Sequence, residues 1–210
     1  MSSLADYLEK SPLIAILRGI EPREIPGALS ALTGEFRIIE VPLNSPQPLE
    51  SLRLLAAQSD AETLIGAGTV LTVEEVYAVA ETGARLIVAP NADPAVIARA
   101  KSLGLFCLPG VATPSEAFSA LKAGADGLKL FPAEALPPAV VKAWLAVLPP
   151  GTLLVPVGGI STENMAGYVA AGAAGFGIGS SLYKPGVSAA ELKERAAGFM
   201  RRYREIKSRP

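Results

Sequence analysis

The chain has 210 residues, 50% of them apolar, and its 19 Lys and Arg against 20 Asp and Glu give a formal net charge of -1. That balance excludes the broad positive charge that draws a protein to nucleic acid or an anionic membrane. Histidine is absent and Cys107 is the single cysteine, so His-based triads, His zinc sites and an internal disulfide are excluded as well. Chemistry falls to Lys, Glu, Asp, Arg, Tyr or a hydroxyl. The opening residues, MSSLADYLEK, set Asp6 and Glu9 where a signal peptide needs a basic end and an apolar run, which predicts a cytoplasmic location. Two uncharged stretches, 143–162 and 164–183, have the length of a membrane span, but glycine and proline interrupt both, so no membrane helix is expected.

In chain order, Ser2 to Lys10 reads as a short helix, followed by eight β-rich apolar runs. These are Leu13 to Arg18, Arg37 to Leu43, Leu64 to Val70, Leu86 to Asn91, Leu105 to Val111, Gly127 to Pro132, Leu153 to Ile160 and Gly175 to Leu182. Their apolar character is nearly continuous, as in parallel strands buried on both faces. Helical stretches lie between them. Start signals stand at Thr72 with Glu75, at Thr113 with Pro114 and Glu116, and at Ser161 before Thr162 and Glu163; Gly83, Gly104, Gly124 and Gly172 supply stops. Eight βα units without a linker predict an α/β chain folded as one (β/α)8 barrel domain over residues 1–210, the N-terminal helix covering its bottom. An open doubly wound sheet is the alternative, but the turn LRGIEPRE after the first run is a poor phosphate loop.

A barrel of this kind carries its site at the carboxyl ends of the strands. Lys129 lies between Leu128 and Leu130, and if the leucines face the helices, period-2 alternation turns Lys129 and Phe131 inward. Glu40, between Ile39 and Val41, turns inward by the same rule. The two are either a structural pair or a nucleophile and its proton shuttle. An unperturbed lysine is neutral in only about one molecule in 2500 at pH 7; apolar burial raises that fraction and a close carboxylate lowers it.

The paired glycines Gly158 and Gly159, with Gly179 and Ser180 after the eighth run, supply amides and helix starts suited to a phosphate. Thr69, in GAGT, and Arg18 are candidates for a substrate carboxylate; packing and a surface ion pair are the plain alternatives. Asn91 is a strand-end candidate that a turn would equally explain. The tail RRYREIKSR reads as a solvated helix face followed by fraying, and Cys107 as a small buried hydrophobe.

In order along the chain, ILRGI, IEVPLNSP, GAGTV, PGVATPSEA, LKLFPAE and PVGGI resemble the 2-keto-3-deoxy-6-phosphosugar-acid aldolases, the KDPG/KHG class I family. The resemblance implies cleavage of a phosphorylated keto-deoxy sugar acid to pyruvate and glyceraldehyde 3-phosphate in a TIM barrel, with no cofactor or metal and with a homotrimeric assembly. It makes Lys129 the Schiff-base lysine and Glu40 the acid/base. Thr69 and its loop would hold the pyruvate carboxylate, and Gly158, Gly159, Gly179 and Ser180 the phosphate. Asn44 stands where the gluconate branch has an arginine, and Val157 where it has a threonine. Both departures resemble the galactonate branch, in which Arg18 takes the carboxylate role. The gluconate epimer, a phosphosugar epimerase and a non-catalytic phosphosugar-binding protein are the alternatives.

Overall fold

The computed structural model describes residues 3–208; Ser2, at the start of the expected N-terminal helix, and Arg209, in the basic tail, lie outside them. Helix α1 runs Leu4–Lys10, its start closed by a reciprocal pair of hydrogen bonds between Ser3 and Asp6. The strands are β1 Leu13–Ile16, β2 Ile38–Pro42, β3 Leu64–Gly68, β4 Leu86–Val88, β5 Phe106–Leu108, β6 Gly110–Val111, β7 Leu128–Leu130, β8 Leu154–Pro156 and β9 Phe176–Ile178. Between and after them lie α2 Ile25–Leu32, α3 Pro48–Gln58, α4 Val73–Ala80, α5 Pro94–Ser102, α6 Pro114–Lys122, α7 Pro138–Leu145, α8 Met165–Ala170 and α9 Ala189–Lys207. Apart from β6, which closes the fifth run, each strand starts within one residue of its apolar run and stops short of the run's end, where the chain leaves the ladder for the loops.

The strands form a curled parallel sheet in two hydrogen-bonded parts, β5-β4-β3-β2-β1-β9 and β6-β7-β8. The fifth apolar run is split at Pro109, which has no amide hydrogen to give to a ladder. Its carbonyl still accepts from the Lys129 amide at 2.9 Å. Between β8 and β9 the Ala174 amide donates to the Leu154 carbonyl at 2.9 Å, and Val157 pairs with Gly177.

Alternation along the strands sorts the apolar side chains into two buried clusters. Ile14, Ile16, Ile38, Leu64, Leu86, Val88, Leu108, Val155 and Val157 gather on the inner face with Leu4, Tyr7 and Leu8 of α1. Leu13, Ala15, Ile39, Val41, Ile65, Ala67, Leu128 and Leu130 face the helices. Helix α1 thus closes the amino-terminal end of the inner face: the Tyr7 ring meets Phe106 edge-on at 6.0 Å, and its hydroxyl accepts from the Arg85 guanidinium.

The expected helix starts at Thr72 and Thr113 are present with their glutamates, and all four stop glycines have positive φ. Helix α8 starts at Met165, later than the Ser161 signal implied. The Asn164 side chain accepts from the Ser161 amide at 3.0 Å and donates to the Gly159 carbonyl at 2.8 Å, which holds the intervening residues in a turn. The basic tail is partly packed: Tyr203 and Ile206 lie against the helix-facing cluster, and Arg202 donates to the Thr162 carbonyl at 3.0 Å. Among the described residues, no helix is long and apolar enough to cross a membrane.

Candidate active site

Glu40, in the middle of β2, and Lys129, in the middle of β7, both turn to the inner face and are 2% and 5% exposed. They line one cavity of about 600 Å³ together with Arg18, Phe131, Val157, Gly158, Gly159, Gly179 and Ser180. Room for the carboxylate comes from β3. A side-chain carbon at Gly68 would lie 1.6 Å from Glu40 Oε2, so glycine is the residue that leaves the carboxylate its place. Glu40 Oε2 is buried with no hydrogen-bond partner. An orphaned acceptor of this kind is costly and calls for an explanation.

Burial controls both ionisations. It pushes the Glu40 carboxyl up to about 6, against the pull of the Lys129 and Arg18 charges. It also lowers the Lys129 ammonium below its ordinary value, which the Arg18 charge assists and the Glu40 carboxylate opposes. Lys129 Nζ sits 4.7 Å from the centre of the Phe131 ring. The arrangement therefore provides a lysine shifted towards its neutral, nucleophilic form beside a carboxyl shifted towards neutrality, as proton-transfer chemistry requires.

Arg18 follows β1 and is held from the neighbouring strand ends. Its Nη1 donates to Asn44 Oδ1 at 2.5 Å and its Nη2 reaches Thr69 Oγ1 at 3.5 Å. Thr69 has φ +56, a left-handed conformation that costs a β-branched residue energy and that clusters at ligand sites. Arg18, Asn44 and Thr69 thus make one polar group at the β1–β3 side, of which Arg18 alone lines the cavity. Asn91 lies apart, in an exposed bend before α5, and does not line the cavity.

On the opposite side, Gly158 and Gly159 have φ +105 and +61. Glu134 lies against both, its Oε2 2.5 Å from where a Gly158 side chain would begin. Nothing lies within 4 Å of the equivalent point at Gly179. Glu134, Tyr183 and Lys184 also line the cavity and had no signal in the sequence beyond their nearness to the LKLFPAE and GIGSS segments. Among the described residues, no group of three or more His, Cys, Asp and Glu is placed to hold a metal ion.

A solved structure described as native KDPGal shares this parallel α/β fold, with a TM-score of 0.93, 46% identity and coverage of 95% of this chain and 98% of that one. Residues 4–195 match the family model for KDPG and KHG aldolase. The chain belongs to that aldolase family. It is 50% identical over 194 residues to the probable 2-dehydro-3-deoxy-6-phosphogalactonate aldolase of Rhizobium meliloti (strain 1021), covering 91% of each chain. With the 2-dehydro-3-deoxy-6-phosphogalactonate aldolase of Escherichia coli (strain K12) it shares 47% over 197 residues, 93% of this chain and 96% of that one.

Proposed function

We propose that this protein is a class I aldolase that cleaves 2-dehydro-3-deoxy-6-phospho-D-galactonate to pyruvate and D-glyceraldehyde 3-phosphate. The observation that carries the reading is the pairing at one cavity of a buried, neutral-shifted lysine with a buried carboxylate whose Oε2 has no protein partner. Neutral Lys129 Nζ attacks the C2 ketone, and loss of water leaves a protonated imine. Glu40 takes the proton of the C4 hydroxyl; the C3–C4 bond breaks, its electron pair passes to the imine as an enamine, and the aldehyde leaves. Protonation of the enamine at C3 and hydrolysis then release pyruvate and return the free lysine.

In this reading Arg18, with Asn44 and Thr69, receives the substrate carboxylate, and the Gly158–Gly159 and Gly179–Ser180 segments receive the phosphate. Asn91, outside the cavity lining, is given no role in this reading. The curled sheet is a (β/α)8 barrel of one domain over residues 1–210, a reading supported by the continuity of the chain through Pro109 and by the Val157 to Gly177 pairing. The family resemblance implies a homotrimer, consistent with the exposed Leu71, Tyr77 and Phe118 on the β3–α4, α4 and α6 segments. A cytoplasmic location completes the reading, and light scattering tests the assembly.

Borohydride reduction in the presence of pyruvate should fix pyruvate to Lys129, read by peptide mapping. Labelling at another lysine, or none, overturns the assignment. The galactonate branch rests on Val157, which is 6% exposed and offers the cavity no hydroxyl. A substrate hydroxyl directed at it would lose water and gain no partner, at about 1–3 kcal/mol. The galacto epimer should therefore show the higher kcat/KM in side-by-side kinetics, and Val157→Thr should narrow the ratio. A gluco preference in the parent would move the protein to the other branch.

A further inference from the structure

We infer that Lys184 is the cation that receives the substrate's phosphate and that it sets the preference for phosphorylated over unphosphorylated keto-deoxy acids; the inference rests on the aldolase reading above. Three cationic residues line the cavity: Arg18, Lys129 and Lys184. Arg18 is engaged with Asn44 and Thr69, and Lys129 is buried beside Glu40 at the chemistry. Lys184 is exposed, and among the described residues no carboxylate pairs with it.

Its backbone is fixed by its neighbours. The Leu182 and Tyr183 amides both donate to the Gly179 carbonyl, at 2.9 and 3.0 Å, closing a turn directly after the glycine whose side-chain direction is empty. Tyr183 is buried and shares a hydrogen bond of 3.2 Å with Glu24 Oε1. On the other flank, Pro185 presses on the turn after β1, 2.8 Å from where a side chain at Gly19 would begin. Lys184 is therefore presented at the cavity from two anchored neighbours.

A cation is needed at that end for an electrostatic reason. The Glu134 carboxylate lies against Gly158 and Gly159, so a phosphate carrying close to two negative charges would approach a third. Neutral amides supply partial charges only, whereas an ammonium at the rim supplies a whole one and a charge-assisted hydrogen bond.

The test compares the parent with Lys184→Ala and Lys184→Arg, using the keto-deoxy acid with and without its 6-phosphate, and titrates each protein calorimetrically with inorganic phosphate. Lys184→Ala should raise KM for the phosphorylated acid about tenfold while kcat is kept, and weaken inorganic phosphate by a similar factor. Lys184→Arg should recover most of both. An alanine variant with the parent's KM and phosphate affinity overturns the inference, and so does an equal loss on the phosphorylated and unphosphorylated acids. A parent that cleaves neither acid overturns the aldolase reading instead, and the phosphate titration then still decides whether Lys184 holds the anion.

Discussion

Glu40 shows what the site costs the fold. Its carboxyl rises from 4.5 to about 6 in the folded protein because burial penalises the charged form. A raised carboxyl binds its proton more tightly when folded than when unfolded, so it contributes stability that is fully present below pH 4.5 and lost as pH rises through about 6. The loss is about 2 kcal/mol. Relative to Glu40→Gln, which has nothing to titrate there, the parent should become less stable by that amount across the window, as measured by denaturant unfolding at several pH values. A pH-independent difference would mean that Glu40 does not titrate in this range. The same ionisation should appear as an acid limb near pH 6 in kcat/KM, and Glu40→Gln should slow turnover by about 10² to 10⁴. Both Glu40 and Lys129 were legible in the sequence because a charge at an inward strand position breaks an otherwise apolar run. Glu134, Tyr183 and Lys184 were not, since residues in the short turns and loops beyond the strands follow no strand period and their direction depends on contacts far along the chain, such as that of Pro185 with Gly19.

At the scale of the element, β3 contributes to the site mainly by what it lacks. Leu64, Gly66 and Gly68 share the inner face of LIGAG, and Ile65 and Ala67 face the helices. A side-chain carbon at Gly66 would lie 2.9 Å from Leu86 Cβ, and one at Gly68 would coincide with the Glu40 carboxylate. GAGT reads in the sequence as a loop suited to a substrate carboxylate. The structure adds a steric role for its second glycine that no pattern within β3 could disclose, because the constraint comes from β2. Gly68→Ala should therefore displace Glu40 and lower kcat about 10² to 10⁴-fold, near the effect of Glu40→Gln. Circular dichroism should still report the folded α/β protein. Kinetics equal to the parent's would show that Glu40 has another position open to it. The strands were legible from apolar runs, and the starts of α4 and α6 from their capping residues. The start of α8 was not, because the Asn164 side chain takes over the turn that Ser161 seemed to begin.

Over the whole molecule, stability and chemistry sit at opposite ends of the strands. Helix α1 packs Leu4, Tyr7 and Leu8 on the inner cluster at the amino-terminal end, and Leu8 reaches to 2.8 Å from the side-chain direction of Gly175. Leu8→Ala should cost about 2–5 kcal/mol in denaturant unfolding through the lost burial and the cavity left behind. Its KM and kcat should match the parent's at a temperature where both are folded. A changed KM would mean that the two ends are coupled.

The carboxyl-end side chains come from separate places in the chain: Arg18 after β1, Glu40 on β2, Thr69 after β3, Lys129 on β7, Val157 after β8 and Lys184 after β9. Glu40 and Lys129 sit within their strands, whose ladders hold them in register, and the other four stand in the segments just beyond a strand. A substitution in one of those segments can therefore alter contacts with the substrate while the strand-borne Glu40 and Lys129 keep their positions. Such a layout gives the lineage a way to drift in substrate preference by single steps, leaving the imine-forming lysine and its proton carrier in place throughout.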